Sequence, residues 1–145
     1  MSAKKILVVE DDKPSAAVLT YKLKGSGYTV VTAPDGATAV QLVGTEHPDL
    51  IILDLGLPAQ DPFTGPNWDG FAVMDWLHRS RPTEPIPIIV VTAWDPIKAK
   101  KRALDAGAIA YFQKPVQYDQ LLATIKNTLG EPSADQPTQS IPGQT

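Results

Sequence analysis

Pro48-Asp49-Leu50-Ile51-Ile52-Leu53-Asp54 is the stretch whose reading decides the fold. Four large branched apolar residues follow one another without a polar break and are closed by an acid. A strand with one wet face alternates apolar and polar residues, whereas a strand covered on both faces reads as a continuous apolar run. Ile6-Leu7-Val8-Val9 and Ile88-Ile89-Val90-Val91 read the same way, with weaker runs at 28–31 and at Ile109-Ala110-Tyr111-Phe112. Between them lie segments of helical length at 13–24, 37–46, 70–80, 96–106 and 118–129. Val18, Leu19 and Leu23 in the first, and Leu121, Leu122, Ile125 and Leu129 in the last, recur at helical spacing. Gly25, Gly107 and Gly130 follow three of these segments and read as the residues just past a helix end. Strand and helix thus alternate along the chain, which predicts an α/β fold: a doubly wound parallel sheet with helices on both faces. A β-sandwich would need alternating strands and no such helices.

Composition bounds the rest. A length of 145 residues suits one domain, and 43% apolar content is enough for a packed core. The absence of cysteine excludes a disulfide scaffold, a cysteine nucleophile and thiolate metal sites. Thirteen basic against sixteen acidic residues give −3, which offers no footprint for nucleic acid. No apolar run approaches the roughly 20 residues of a membrane span, and Ile6–Val9 is too short for a signal peptide, so the expected location is cytoplasmic. The 14 prolines are about twice the usual share. Pro58, Pro62 and Pro66 lie in one polar segment, Pro82, Pro85 and Pro87 lead into the fourth strand, and Pro132, Pro137 and Pro142 lie at the end. Residues 131–145 hold a single large apolar side chain, Ile141, and read as a flexible tail after a folded domain at 1–130.

The polar residues fall where such a sheet needs them. The first strand runs into Glu10-Asp11-Asp12, the third into Asp54, the fourth into Thr92 and the fifth into Lys114-Pro115. In an open α/β sheet, ligands bind at the carboxyl ends of the strands, near the point where strand order reverses. Clustered carboxylates repel one another unless a cation is present. An all-oxygen set with a phosphate suits Mg²⁺. An ammonium and a hydroxyl can face phosphoryl oxygens. An aspartate in that setting can form an aspartyl phosphate, and phosphoryl transfer then needs mainly positioning and charge neutralisation.

On these motifs, together with Val91-Thr92-Ala93 and Gly107-Ala108 ahead of Lys114-Pro115, the chain resembles the receiver domain of two-component response regulators over about residues 4–130. The resemblance implies a flavodoxin-like, five-stranded sheet in the order 2-1-3-4-5. It implies Asp54 as phosphoacceptor, with Thr92 and Lys114 binding the phosphoryl oxygens. Mg²⁺ would be held by Asp11, Asp54 and the backbone carbonyl of Gly56, with Glu10 holding a metal-bound water. Thr92 and Tyr111 would form the switch, and the Lys114–Pro115 bond would be cis. Gly56 and Trp94 occupy positions that tune phosphoryl lifetime in this family, with Trp94 expected to shield the phosphoryl group. The partners implied are a sensor histidine kinase or a histidine phosphotransfer protein. An output protein would dock on the face of the fourth helix, fifth strand and fifth helix, with the chain a monomer or a phosphorylation-dependent dimer. Beyond phosphorylating and dephosphorylating itself, no enzymatic activity is expected. The fifteen residues after 130 hold no DNA-binding domain, so a single-domain regulator acting through protein contact is expected.

One departure stands out. Where the family runs from its proline quickly into the third helix, this chain carries an insertion at 59–68 that includes Phe63 and Trp68, aromatics that a purely solvated loop rarely needs. A tolerated surface loop and a partner-contact loop both fit it. Asp12 reads as a helix N-cap rather than a ligand, and His47 and His78 as solvated. Lys98, Lys100, Lys101 and Arg102 read as a solvated helix face or as part of the output surface, and Trp76 as packing. The alternative to a phosphorylated switch is a phosphorylation-independent docking module, against which the intact acids, Thr92 and Lys114 argue.

Overall fold

The computed structural model describes residues 3–57, 68–80 and 85–130. Strands β1 (Lys5–Val9), β2 (Thr29–Ala33), β3 (Leu50–Leu53), β4 (Ile88–Thr92) and β5 (Ala110–Gln113) alternate with helices α1 (Lys13–Gly25), α2 (Gly36–Glu46), α3 (Gly70–Ser80), α4 (Pro96–Asp105) and α5 (Tyr118–Leu129). The strands form one sheet in the order β2-β1-β3-β4-β5, and every neighbouring pair is parallel. This is the flavodoxin-like strand order 2-1-3-4-5.

The unbroken apolar runs have a direct cause. Leu7, Val9, Ile51, Leu53 and Val90 face one side, where they meet Ala39 and Val43 of α2, Val73, Met74 and Leu77 of α3, and Ala99 and Ala103 of α4. Their sequence neighbours Ile6, Val8, Leu50, Ile52, Ile89 and Val91 face the other side, against Leu19 and Leu23 of α1 and Leu121 and Ile125 of α5. Successive side chains point to opposite faces, both faces are roofed by helices, and so neither parity of the strand can be polar. Burying each Leu or Ile contributes about 1.5–3 kcal/mol.

The starts of α1 to α4 are capped by side chains, while Gln117 at the start of α5 makes no such bond. Asp12 accepts from Ser15 N at 3.0 Å and from Ser15 Oγ at 2.6 Å, and Asp35 accepts from Thr38 N at 2.8 Å. Asp95 accepts from Ile97 N at 3.0 Å, and Asp69 from Ala72 N at 2.8 Å. Each satisfies a backbone donor that the first helical turn leaves over.

Some boundaries depart from expectation. Gly25 closes α1 rather than following it; Ser26 is the cap, and Gly27 takes the positive φ of 97° that the turn into β2 requires. Gly107 and Gly130 do carry positive φ, 115° and 84°. β2 and β5 each start one residue later than the weak apolar runs suggest, because backbone pairing and not hydropathy sets where a strand begins. Val18 has helical spacing but is 46% exposed, lying at the edge of α1 rather than over the sheet. The insertion, apart from Trp68, and the 131–145 tail lie outside the described residues. No helix among the described residues is long and apolar enough to cross a membrane.

Candidate functional site

Because all five strands are parallel, their carboxyl ends share one edge of the sheet. Backbone bonds just past the strands hold the polar residues there. Glu10 N donates to Ala33 O at 3.0 Å, Asp54 N to Val9 O at 3.1 Å, and Lys114 N to Thr92 O at 2.8 Å. The position of each side chain is therefore set by the main-chain ladder rather than by a loose loop. β1 and β3 flank the point where strand order reverses, and their acids face each other across it.

Glu10 and Asp54 are each only 8% exposed and Thr92 is fully buried, whereas Asp11 is exposed. Carboxylate oxygens of Glu10, Asp11 and Asp54 lie within 4.8 Å of one another. Lys114 Nζ bridges the two buried acids, bonding to Glu10 and, at 3.1 Å, to Asp54 Oδ2. The other Asp54 oxygen, Oδ1, accepts from Gly56 N at 2.9 Å. Glu10 also accepts from Asp12 N at 3.1 Å. The Lys114–Pro115 bond is cis.

Charge follows from these contacts. Burial works to raise the pKa of Asp54, but the Gly56 N–H, the Thr92 hydroxyl and the Lys114 ammonium outweigh it and hold the carboxyl below its ordinary value of 3.8. Burial pushes Glu10 up; Lys114 and the Asp12 N–H oppose this, and the charge of Asp54 adds to it. Burial works to lower Lys114, but bonds to Glu10 and Asp54 more than reverse it, so the ammonium is kept protonated. Asp54 is thus an ionised carboxylate under neutral conditions, the form an oxygen nucleophile needs.

A sequence profile of the response regulator receiver domain matches residues 6–126. The chain belongs to the response regulator receiver domain family. Solved structures agree. A response regulator from Chloroflexus aurantiacus is 31% identical with a TM-score of 0.77, over 88% of this chain and 98% of that one. A CheY-like receiver domain protein from Methanospirillum hungatei is 29% identical with a TM-score of 0.76, over 92% and 99%. The chemotaxis protein CheY4 of Vibrio cholerae is 25% identical with a TM-score of 0.75, over 88% and 100%. Receiver domains of this family are signalling modules of two-component systems. Aspartate phosphorylation and Mg²⁺ binding in an acidic cluster are general properties of the family.

The residues of this receiver fit the ion. Three carboxylates within 4.8 Å form a hard, all-oxygen donor set suited to Mg²⁺. One ammonium does not neutralise three acids, so the cluster keeps a net negative charge that favours a cation.

Around the acids, Thr92 Oγ1 accepts a long bond from Trp94 N at 3.4 Å, and Tyr111 donates its hydroxyl to Trp94 O at 2.8 Å. Tyr111 is half-buried, and its phenol is raised above 10.0 by burial and by the charges of Asp95 and Asp54. A Cβ on Gly56 would stand 3.2 Å from Trp94 Nε1 and 3.6 Å from Asp54 Oδ1, so the indole lies beside the acid with only a glycine between them. Asp12 is drawn away to cap α1, and its bonds to Ser15 hold it below 3.8. His47 and His78 are exposed, and His47 takes a left-handed φ of 50° at the end of α2.

The structure adds features that spacing could not reveal. Gly70 starts α3 so close to β3 that a Cβ there would stand 2.7 Å from Leu55 Cα and 3.0 Å from Asp54 O. Trp68, at the return of the insertion, is half-buried. Its ring meets Trp76 edge-on at 6.4 Å, and its Cβ and O would lie 2.4 Å from a Cβ on Gly36. Trp68 thus packs internally on α3 and beside the start of α2, whereas Phe63, the other aromatic of the insertion, lies outside the described residues.

Proposed function

We propose that this receiver accepts a phosphoryl group from the phosphohistidine of a sensor kinase or histidine phosphotransfer protein onto Asp54. The observation that supports this most is the state of Asp54: a buried carboxylate kept ionised, with Oδ1 held by Gly56 N at 2.9 Å and Oδ2 by Lys114 at 3.1 Å. A carboxylate oxygen attacks phosphorus, the P–N bond to the donor imidazole breaks, and the imidazole leaves with the electron pair and takes a proton from solvent. Lys114 stays with the transferred group as a point charge, and Thr92 supplies a hydroxyl from the end of β4. Asp11, Asp54 and the carbonyl of Gly56 would hold Mg²⁺ directly, with Glu10 holding one of its waters. When bound, the ion neutralises charge that builds on the phosphoryl oxygens.

The donor face is taken to be the open groove of about 330 Å³ between α1 and the segment after β5, lined in part by Pro14, Val18, Leu19, Pro115, Val116 and Tyr118. It reaches Glu10 and Lys114 and offers apolar surface next to the acids. Output is assigned to the face of α4, β5 and α5, where Tyr111 ties β5 to the loop that follows Thr92 and carries Trp94. A charge added at Asp54 draws on Thr92 and, through this loop, changes what that face presents. The receiver domain then acts as a phosphorylation-controlled switch.

Incubation with Mg²⁺ and acetyl phosphate tests the reading. Intact mass should rise by one phosphoryl group in the wild type and not in Asp54→Asn. An adduct that persists in the variant, or none in the wild type, overturns it and leaves a docking module.

A further inference from the structure

A row of contacts runs from the outer face of α4 to the phosphorylation site. It begins at Arg102, whose guanidinium carbon lies 3.7 Å from the centroid of the Phe71 ring. Phe71 is the second residue of α3, directly after Gly70, whose close approach to Leu55 fixes that end of the helix against the loop following β3. The Phe71 ring lies 6.3 Å from that of Trp94, tilted at 45°. The indole in turn borders Gly56, with Asp54 Oδ1 just beyond. The main chain of Trp94 is anchored by Thr92 and Tyr111, but its side chain is not enclosed: the residue is 43% exposed. Phe71 is the ring against which the indole leans. The neighbouring cation Lys101 is spent on Asp105 at 2.7 Å, whereas Arg102 is placed over the aromatic ring, a use for which a planar guanidinium is better suited than an ammonium.

We propose that Arg102, acting through Phe71, is a positioning residue that holds the Trp94 ring over Gly56 and so sets how fast water reaches a phosphoryl group on Asp54. The inference rests on the reading of Asp54 as phosphoacceptor. The step concerned is hydrolysis: a water oxygen attacks phosphorus, the bond from phosphorus to the Asp54 oxygen breaks, the carboxylate is restored, and inorganic phosphate leaves with the water's protons shared with solvent. An indole beside the acid occupies space from which that water would come. Loosening the support lets the ring swing away without touching the acids or Lys114.

The test labels the protein with acetyl phosphate and Mg²⁺, removes the donor, and follows the loss of the phosphoryl group by intact mass. Trp94→Ala should speed the decay. Arg102→Ala should speed it about two- to fivefold, the size of an exposed cation–π contact expressed as a rate ratio. Arg102→Lys should fall between Arg102→Ala and wild type, and Phe71→Leu should resemble Arg102→Ala. In a Trp94→Ala background, Arg102→Ala should add nothing, because its effect is exerted through a ring no longer there. A wild-type decay rate in Arg102→Ala or in Trp94→Ala, or an equal acceleration by Arg102→Ala with and without Trp94, overturns the inference and leaves Asp54 phosphorylation standing. Failure of the wild type to take the label overturns both.

Discussion

Tyr111 on β5 donates its hydroxyl to the main-chain carbonyl of Trp94 at 2.8 Å, bridging the edge strand to the loop after β4. That loop follows Thr92, the last residue of β4, which is fully buried beside Asp54. A change at the acid therefore has a short mechanical route to the surface of β5.

That bridge predicts the behaviour of Tyr111→Phe. The ring and its packing stay, one hydrogen bond is lost, and stability should fall by about 1 kcal/mol. Urea unfolding should show a lower midpoint with an unchanged slope. The phenol itself reports on the site, because the charge of Asp54 helps to raise it above 10.0. In Asp54→Asn, ¹³C NMR of the Tyr111 ring should show ionisation at lower pH. No change in that titration would place Asp54 out of electrostatic reach of Tyr111.

Lys114 is held between two buried acids, and its removal should leave them repelling each other. Lys114→Gln should lose about 1–3 kcal/mol at pH 7 without Mg²⁺. The signs run in opposite directions at the two ends of the pH scale. Asp54, depressed in the fold, contributes stability that is present above its unfolded value of about 3.9 and lost as pH falls through the folded one. Lys114, raised in the fold, contributes stability that is present below its unfolded value of about 10.4 and lost as pH rises through the folded one. The deficit of Lys114→Gln should thus be largest near neutrality and shrink towards both extremes. A deficit independent of pH would assign the loss to packing instead.

Metal dependence separates Asp11 from the buried acids. Mg²⁺ at a hundred times its dissociation constant should stabilise the fold by about 2.7 kcal/mol, and chelation should remove that gain. Asp11→Asn alters an exposed side chain, so it should leave metal-free stability near wild type yet lose most of the gain. An undiminished gain in Asp11→Asn, read as the thermal midpoint with and without Mg²⁺, would move the ion elsewhere.

Gly70 predicts how tightly α3 is seated. A methyl group there would meet Leu55 Cα at 2.7 Å and Asp54 O at 3.0 Å, both backbone atoms. Gly70→Ala should cost about 1–3 kcal/mol and slow labelling by acetyl phosphate, since the strain falls on Asp54 itself. Wild-type stability and labelling would show that the segment after β3 yields freely.

The legible part of this protein was the part written in strong local patterns. Leu50–Leu53 read as a strand buried on both faces, and it is one. The polar residue closing each strong run marks the sheet edge because parallel strands must bring those ends together. Asp12 was legible as a cap because the requirement is met three residues away, by Ser15. What could not be read depends on partners far along the chain. Gly25 and Gly27 both suit a turn, and only the backbone pairing that starts β2 decides that Gly27 takes the positive φ. Phe71, Trp94 and Arg102 look unrelated in sequence and meet only once α3 and α4 are packed on one face of the sheet. Trp68 looked like a loop aromatic; its contacts with Trp76 and beside Gly36 exist only in the folded chain.

The central claim is that Asp54, and not Glu10 or Asp11, carries the phosphoryl group. Borohydride reduces an acyl phosphate to the alcohol, so it converts a phosphorylated aspartate into homoserine, which peptide mass spectrometry can place. After treatment with acetyl phosphate and Mg²⁺, the account predicts homoserine at position 54 alone, and only in the phosphodonor-treated sample. A reduced residue at position 10 or 11, with position 54 unchanged, would contradict it.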